Sequence, residues 1–389
     1  MASGLATTLA SHSVLGANDR LRLGIIGSGA RGIELLRSIP PGSSIDVAAV
    51  ADIYSRNLED ALRVVPGARV YDDHRRLLED TSIDAVIIAT PPHLHSEHFV
   101  NSLDAGKHVY VERTMAFTVE HARRMRQAFA KTTRRTVQVG HQVCSSGQIT
   151  DAAAFLAGTQ VGKITAIHMR MFRNTPRGKP HWSRPVYPGM TLDNIAWESF
   201  LGDAPARGFD LNRYVNWRLY ADYSGGSVSE NMSQQLAFWY RALKLQIPHA
   251  VNMSGGIYLW KDGREVPDTM NVTLEQPEEM LVTWDSGFGN NQLGISEDVL
   301  GTDGTISRGQ TLRYTPQKVN RPDGTEALGR TATLPNAHMQ NFIDCIRSGK
   351  EPNCPFELGY RVSIACRMAL ESYRLGRTVR WDAGQEQIV

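Results

Sequence analysis

Cysteine is scarce in this chain, four in 389 residues, and Cys144, Cys345, Cys354 and Cys366 form no C-x-x-C pair and share no spacing with histidines. That excludes a disulfide framework or a thiolate zinc site as an organising feature and leaves buried thiols. An excess of one charge is lacking as well. Lys and Arg number 42 against 40 Asp and Glu, a formal +2, and the basic residues are scattered, so nothing here calls for nucleic acid. No apolar run approaches the roughly 18 residues that cross a bilayer, and no membrane partner is expected. Asp, His and Glu nowhere gather at ligand spacing, so no metal is expected. Internal repeats and low-complexity segments are missing too. What remains is an ordinary globular composition, 41% hydrophobic, long enough for two domains and suited to small-molecule partners.

The first stretch, MASGLATTLASHSVLGAND, is small, weakly apolar and rich in Ser, Ala and Thr. It has the character of the later part of an export signal, without the charged start or twin arginine of a complete one. Read as the remnant of a twin-arginine signal, residues 1–20 imply a periplasmic protein; read as a disordered leader, they imply a cytoplasmic one.

From Leu21 the chain alternates. LRLGII, IDVAAVAD, ARVY, IDAVIIAT, KHVYVE and TVQVG read as strands, separated by segments with helical spacing. This is the pattern of βαβ units and a parallel sheet, with the loops after the strands gathered on one edge. At that edge Gly27-Ser28-Gly29-Ala30-Arg31-Gly32 is a Gly-x-Gly-x-x-Gly directly after the first strand. Its glycines allow a tight turn, close approach of a diphosphate and close helix–strand packing, and the helix start offers free N–H groups. Asp52 ends the second strand about 20 residues beyond the last glycine, where a carboxylate meets the adenosine ribose. The expected cofactor is therefore NAD in preference to NADP, whose 2'-phosphate would face that charge. Arg31 and Arg56 stand close enough in sequence to soften the preference. Glu112 ends the fifth strand, on the nicotinamide side. The segment Lys179-Pro180-His181-Trp182-Ser183-Arg184 mixes cation, imidazole and indole and suits a sugar, with Trp182 and Arg184 as contacts. A Pro-rich arm is its plainer reading. Trp197, Trp217 and Trp239 read as core, and His93 as a surface histidine at a helix start.

The segments ATPPHLHSEH, GKHVYVERTMAFTVEHARRM, GHQVCSSGQ, the stretch from WESFLGDAP to FWYRAL, GGIYLWKDGREVPDT and LGRTVRWDAGQEQ together resemble the glucose-fructose oxidoreductase, inositol dehydrogenase and rhizopine-catabolism family (Gfo/Idh/MocA). The resemblance covers nearly everything from Leu21 onward. It implies a Rossmann domain over residues 21–143 and, over 144–389, an α+β domain with a large, mostly antiparallel sheet. That second domain would roof the nicotinamide and carry a homo-oligomer contact. The strand-like ITAIHMRMF, NMSGGIYLW, NVTLEQ, MLVTW and LRYT, separated by Gly, Asp and Asn turns, point the same way. The helix-like HMQNFIDCIRSG and LGYRVSIACRMALESYRLG would pack back on the sheet or on the first domain. The resemblance also implies that Thr90, Pro91 and Pro92 line the cofactor and that His95 approaches it.

The same resemblance exposes two departures. Where similar proteins carry Glu-Lys-Pro, this chain has Glu112-Arg113-Thr114; where they carry an Asp and, four residues on, a His, it has Glu230 and Gln234. Arginine does not shuttle protons near neutrality, and Gln has none to give. Positioned acid–base groups are worth roughly 10² to 10⁴ in rate, so the missing pair matters. Three readings follow: redox chemistry with Glu230 or His181 taking the proton; a retained NAD that transiently oxidises a sugar while a neighbouring bond is eliminated or hydrolysed; or a nucleotide-binding scaffold without catalysis. Arg113 would position substrate or stabilise oxyanion charge, and Gln234 with Asn231 would bind hydroxyls. Helical spacing puts Glu230 and Gln234 on one face.

Overall fold

The computed structural model describes residues 20–132, 134–329 and 337–389, so the expected leader lies outside the described residues except for Arg20. The first half holds strands β1 (Leu21–Ile26), β2 (Ile45–Ala51), β3 (Arg69–Tyr71), β4 (Ala85–Ile88), β5 (His108–Val111) and β6 (Val137–Val139). Between them run helices α1 (Ala30–Arg37), α2 (Ser55–Leu62), α3 (His74–Leu78), α4 (His95–Asp104) and α5 (Val119–Lys131). All pairings are parallel, in the order β3-β2-β1-β4-β5-β6. The strands are nearly continuous apolar runs, every residue of AVII in β4 being buried, because helices cover both faces. The strand order reverses between β1 and β4, and the crevice outside their C-terminal ends is where such sheets bind ligands.

The second half contains α6 (Gln148–Ala157), β7 (Ile164–Phe172), α7 (Trp197–Leu201), α8 (Leu211–Val215), α9 (Ser233–Leu243), β8 (Ala250–Gly256), β9 (Thr269–Gln276) and β10 (Met280–Gly287). It continues through β11 (Ile295–Gly301), β12 (Gly304–Arg308), β13 (Leu312–Pro316), β14 (Ala327–Leu328), α10 (Ala337–Ser348), α11 (Phe356–Leu375), β15 (Val379–Asp382) and β16 (Gln387–Ile388). Ten strands form one sheet, β14-β13-β12-β11-β7-β10-β9-β8-β15-β16, antiparallel except for the β7–β10 pair. This is the α/β fold expected: a Rossmann domain joined to an α+β domain with a large, mostly antiparallel sheet.

Alternation in β9 shows why one sheet face is covered and the other open. Met270, Val272 and Leu274 are buried, whereas Asn271 and Glu275 on the opposite face are exposed. Helices α9 and α11 lie on the covered face, with Phe356, Tyr360, Ile364 and Met368 of α11 buried at helical spacing. The late helix α10 instead returns to the first domain, where Met339, Phe342 and Ile343 join Leu23, Ile25 and Tyr110 in one apolar cluster. A second cluster runs without interruption from Val111 and Val139 to Trp239 and Phe356, so the halves share a core. Its burial makes the site between them a fixed cleft.

Three further details complete the frame. All four cysteines are buried free thiols, and among the described residues no helix is long and apolar enough to cross a membrane. His93, read from sequence as a surface residue, is buried against the Phe200 and Tyr223 rings, and its Nε2 lies 2.7 Å from the Phe200 carbonyl. Helix α7 packs over that loop from the second half, which a reading of the β4–α4 segment alone does not show.

Candidate active site

One cavity of about 860 Å³ lies along the C-terminal edge of the parallel sheet, and its wall runs from Gly27 and Gly29 to Arg113, Arg218 and Glu230. At one end is the glycine turn. Gly27 has φ +90°, and a Cβ on Gly32 would come within 2.2 Å of the Gly27 carbonyl oxygen. Neither position tolerates a side chain, whereas the nearest atom to a Cβ on Gly29 is 3.8 Å away, on Asn57. Helix α1 starts there with Gly29 as N-cap and no acidic residue in its first turn. The turn thus fits a diphosphate: free N–H groups, room beside Gly29 and a partial positive charge.

Asp52 is pinned across this turn. Its Oδ2 accepts from Ser28 N (2.7 Å) and Ser28 Oγ (3.2 Å), its Oδ1 from Tyr54 N (2.9 Å) and Asn57 Nδ2 (3.1 Å). Burial raises its pKa above the ordinary aspartate value, against the pull of those hydrogen bonds. The Asp52 carboxyl, held by four donors, stands on the cavity wall beside the glycine turn. Thr90, Pro91, Pro92, Leu94 and His98 continue the wall after β4.

Arg31, which the sequence offered to the ribose phosphate, is held elsewhere. Its Nε and Nη2 donate to Glu112 Oε1 at 3.0 and 2.6 Å, and its Nη1 pairs with Glu34 at 2.7 Å. Glu112 receives Arg113 on its other oxygen, from the main-chain N at 3.0 Å and Nη1 at 3.2 Å. Burial would raise the Glu112 pKa, yet Arg113 and Arg31 overcome it and hold the carboxyl below the usual range. Gly140 leaves room for this, since a Cβ there would meet Glu112 Oε1 at 2.8 Å. Arg56 is exposed and does not line the cavity. His95 is fully buried between the carbonyl oxygens of Thr90 (2.8 Å) and Thr114 (3.0 Å) and is not on the cavity wall. It ties the two loops together from behind.

The far end of the cavity carries Arg113, Trp182, Arg184, Trp217, Arg218 and Glu230. Residues Val228–Met232 form a π-helical turn before α9, a wider turn than an α-helix and a frequent feature of functional sites. It separates Glu230 from Gln234, which α-helical spacing had placed on one face. Glu230 reaches the cavity and pairs with Arg218 Nε at 3.4 Å, while Arg113 Nε lies 3.4 Å from the Glu230 carbonyl oxygen. The Gln234 side chain points inward, its Oε1 buried without a partner. Asn231 is buried and donates to Ser227 Oγ at 2.8 Å. His181 stands behind Trp182, its ring stacked on Phe288 with centroids 4.8 Å apart, and is not on the wall. Burial, Arg173, Arg264 and Arg218 push its pKa down to about 4.

Sequence patterns missed two residues of the wall and a buried histidine that is not on it. Trp217, read as core, lines the cavity beneath Arg218, whose guanidinium carbon is 4.1 Å from the indole centroid. Arg218 carries no motif of its own. His141, after β6, is fully buried with neither ring nitrogen hydrogen-bonded. Burial and Arg113 drive its pKa down to about 3, opposed by the Glu112 charge. Its place directly after GHQ's glycine at a strand end was the available signal.

Opposite the sheet edge the cavity is closed by the segment that leaves β7 and returns at α9. Tyr54 and Ile195 form an antiparallel bridge, Ser55 N donates to Asn194 O at 3.2 Å, and Ala196 N donates to Ile53 O at 3.0 Å. Tyr54, Met190 and Ile195 make a small apolar cluster with Tyr214 and Val215 beside it.

Residues 21–141 match the family described as an oxidoreductase family with an NAD-binding Rossmann fold. The chain is 35% identical to the inositol 2-dehydrogenase of Paracoccus denitrificans over 122 residues, 31% of this chain and 36% of that protein. The match thus spans about a third of that relative. With the inositol 2-dehydrogenase of Salmonella typhimurium it is 28% identical over 367 residues, 92% of this chain and 96% of that one. Among solved structures, the WlbA dehydrogenase from Bordetella pertussis in complex with NADH and UDP-GlcNAcA superposes with a TM-score of 0.70 at 18% identity, covering 93% of this chain and 99% of the other. That last likeness is one of fold.

Proposed function

From the match of residues 21–141 to that NAD-binding oxidoreductase family, we propose that this chain is a Gfo/Idh/MocA oxidoreductase that binds NAD and oxidises or reduces a carbohydrate or polyol, with Arg113 where similar proteins carry lysine and Glu230, at their Asp position, doing the acid–base work of the histidine that Gln234 replaces. The observation that carries this is a single cavity joining the Gly27–Gly32 turn and Asp52 to Arg113, Arg218 and Glu230. The relatives' own names, inositol 2-dehydrogenases, support the substrate class.

Gly27, Gly29 and the start of α1 would hold the diphosphate, Asp52 the adenosine ribose, and Thr90 to Pro92 the middle of the dinucleotide. NAD supplies the hydride acceptor. The remaining work falls to side chains. Arg113, fixed on Glu112, is placed to orient the reacting hydroxyl and to stabilise the negative charge that develops on its oxygen. Glu230, the carboxylate at that end of the cavity, is placed to take the hydroxyl proton. Asp52 favours NAD, and with Arg31 engaged by Glu112 and Glu34 no arginine of the glycine turn is free to offset its charge.

A second reading has its own support. The bridge between Tyr54 and Ile195 closes the adenosine end, an arrangement suited to a cofactor that stays bound through a redox-neutral cycle, as in a glycoside hydrolase or lyase that transiently oxidises its sugar. Incubating the purified protein with sugars and glycosides while following NADH absorbance and products together separates the two. Steady NADH formation supports the dehydrogenase; product release without net NADH supports the retained cofactor; neither, with a broad panel, removes both. A homo-oligomer through the open face of the ten-stranded sheet remains part of the proposal.

A further inference from the structure

We propose that the sugar taken by this site carries a single negative charge, a sugar acid, whose carboxylate is received by Arg184 and Arg218 while Trp182 and Trp217 cover its ring. This rests on reading the cavity as a dinucleotide-plus-sugar site and names the class of sugar.

The two arginines and two indoles come from separate strips of chain that one buried residue ties together. Asn216, 3% exposed, accepts from Arg184 N at 2.7 Å through Oδ1 and donates to Arg184 O at 3.0 Å through Nδ2. The main chain of the Trp182–Arg184 strip is thereby clamped to the residue just before Trp217 and Arg218. Trp182 takes φ +67°, a left-handed conformation that is uncommon for a bulky residue and that tends to mark functional positions. All four side chains line the cavity. Aromatic faces against sugar C–H surfaces and guanidinium forks against carboxylates are matched chemistries.

Charge decides between a neutral sugar and an acid. At this end Arg113 and Arg31 share Glu112, Arg31 also meets Glu34, and Arg218 meets Glu230. Arg184 has no carboxylate partner among the described residues. Every other arginine on the wall, Arg31, Arg75, Arg113 and Arg218, is ion-paired, so among the described residues Arg184 is the exposed guanidinium of the cavity left to receive an anion. Of the other carboxylates on the wall, Asp52, Asp72, Asp73 and Glu97 belong to the adenosine end, and Glu198 stands in α7. One unpaired guanidinium matches a carboxylate better than a phosphate dianion.

The test uses full-length protein saturated with NAD. Glucuronate, galacturonate and gluconate, glucuronamide and glucose as neutral counterparts, and glucose 6-phosphate are titrated by calorimetry and assayed for turnover. At least one acid should bind roughly tenfold or more tightly than its neutral counterpart, with a preference that shrinks as salt rises. Arg184→Gln should bring that preference close to one while leaving NAD affinity unchanged. Equal binding of acids and neutral sugars, stronger binding of glucose 6-phosphate, or an acid preference untouched in Arg184→Gln overturns the proposal. So does NAD-loaded protein that takes none of the acids. Turnover of neutral sugars alone would leave the oxidoreductase reading standing, whereas protein that cannot be loaded with NAD removes the broader reading itself.

Discussion

Arg113 holds its place because Glu112 is gripped from two sides, by Arg31 on one oxygen and by Arg113 on the other. Arg113→Ala removes the cation facing the substrate but leaves Glu112 paired with Arg31, so the glycine turn should stand. The expected result is a fall in kcat of about 10² or more, as for loss of an oxyanion donor, with NAD affinity within about threefold; steady-state kinetics and nucleotide titration check both. Glu230→Gln should lower kcat by roughly 10² to 10⁴ in steady-state assays. An unchanged kcat removes Glu230 as the base. Asp52→Ala should raise NADP affinity relative to NAD, measured by competing titrations. Much of this site was legible, because Gly27 to Gly32, Asp52, Arg113 and Glu230 sit at strand ends or within short patterns. The commitment of Arg31 to Glu112 was not, since the pair is 81 residues apart in sequence. Nor was His141, whose meaning depends on what buries it.

The alternation of strands and helices was visible because buried parallel strands are continuous apolar runs, and the glycine turn marks where the first one ends. Less visible were elements whose shape depends on partners. The π-helical turn at Val228–Met232 turns Glu230 toward the cavity and Gln234 inward, and no periodicity announces one widened turn. The segment from β7 to α9 shows turn residues and aromatics, yet its pairing with the end of β2 is a tertiary event. That pairing makes a prediction of its own. Ala196→Pro deletes the N–H that donates to Ile53 O at 3.0 Å, at a position whose φ of −78° a proline accepts. Nucleotide dissociation followed by stopped-flow fluorescence should accelerate roughly tenfold, about 1.4 kcal/mol of lost closure; an unchanged off-rate means that the segment does not retain the cofactor.

Across the whole molecule, histidines buried in the neutral form link stability to pH. Burial, the leading cause in each case, holds His93 and His338 down to about 4 and His141 to about 3, and lowers His95 and His98 as well. In the unfolded chain these rings protonate near 6.5. Between their folded values and 6.5 the unfolded state binds more protons, so stability is fully present above about pH 6.5 and is lost as pH falls through that window. Each such ring can contribute up to about 1.4 kcal/mol per pH unit. Thermal unfolding followed from pH 8 to pH 5 should show Tm falling from near pH 6.5 downward, before the carboxylates titrate; a flat Tm over that range contradicts the burial of these rings. Saturating NAD should raise Tm throughout by binding only the folded state.

The most direct measurement is a calorimetric titration of nucleotide-stripped protein with NAD and, separately, with NADP. Association at one NAD per chain, tighter than NADP, is the expected result. No heat with either dinucleotide would show that the glycine turn and Asp52 do not hold a cofactor, and the assignment of the cavity would go with them.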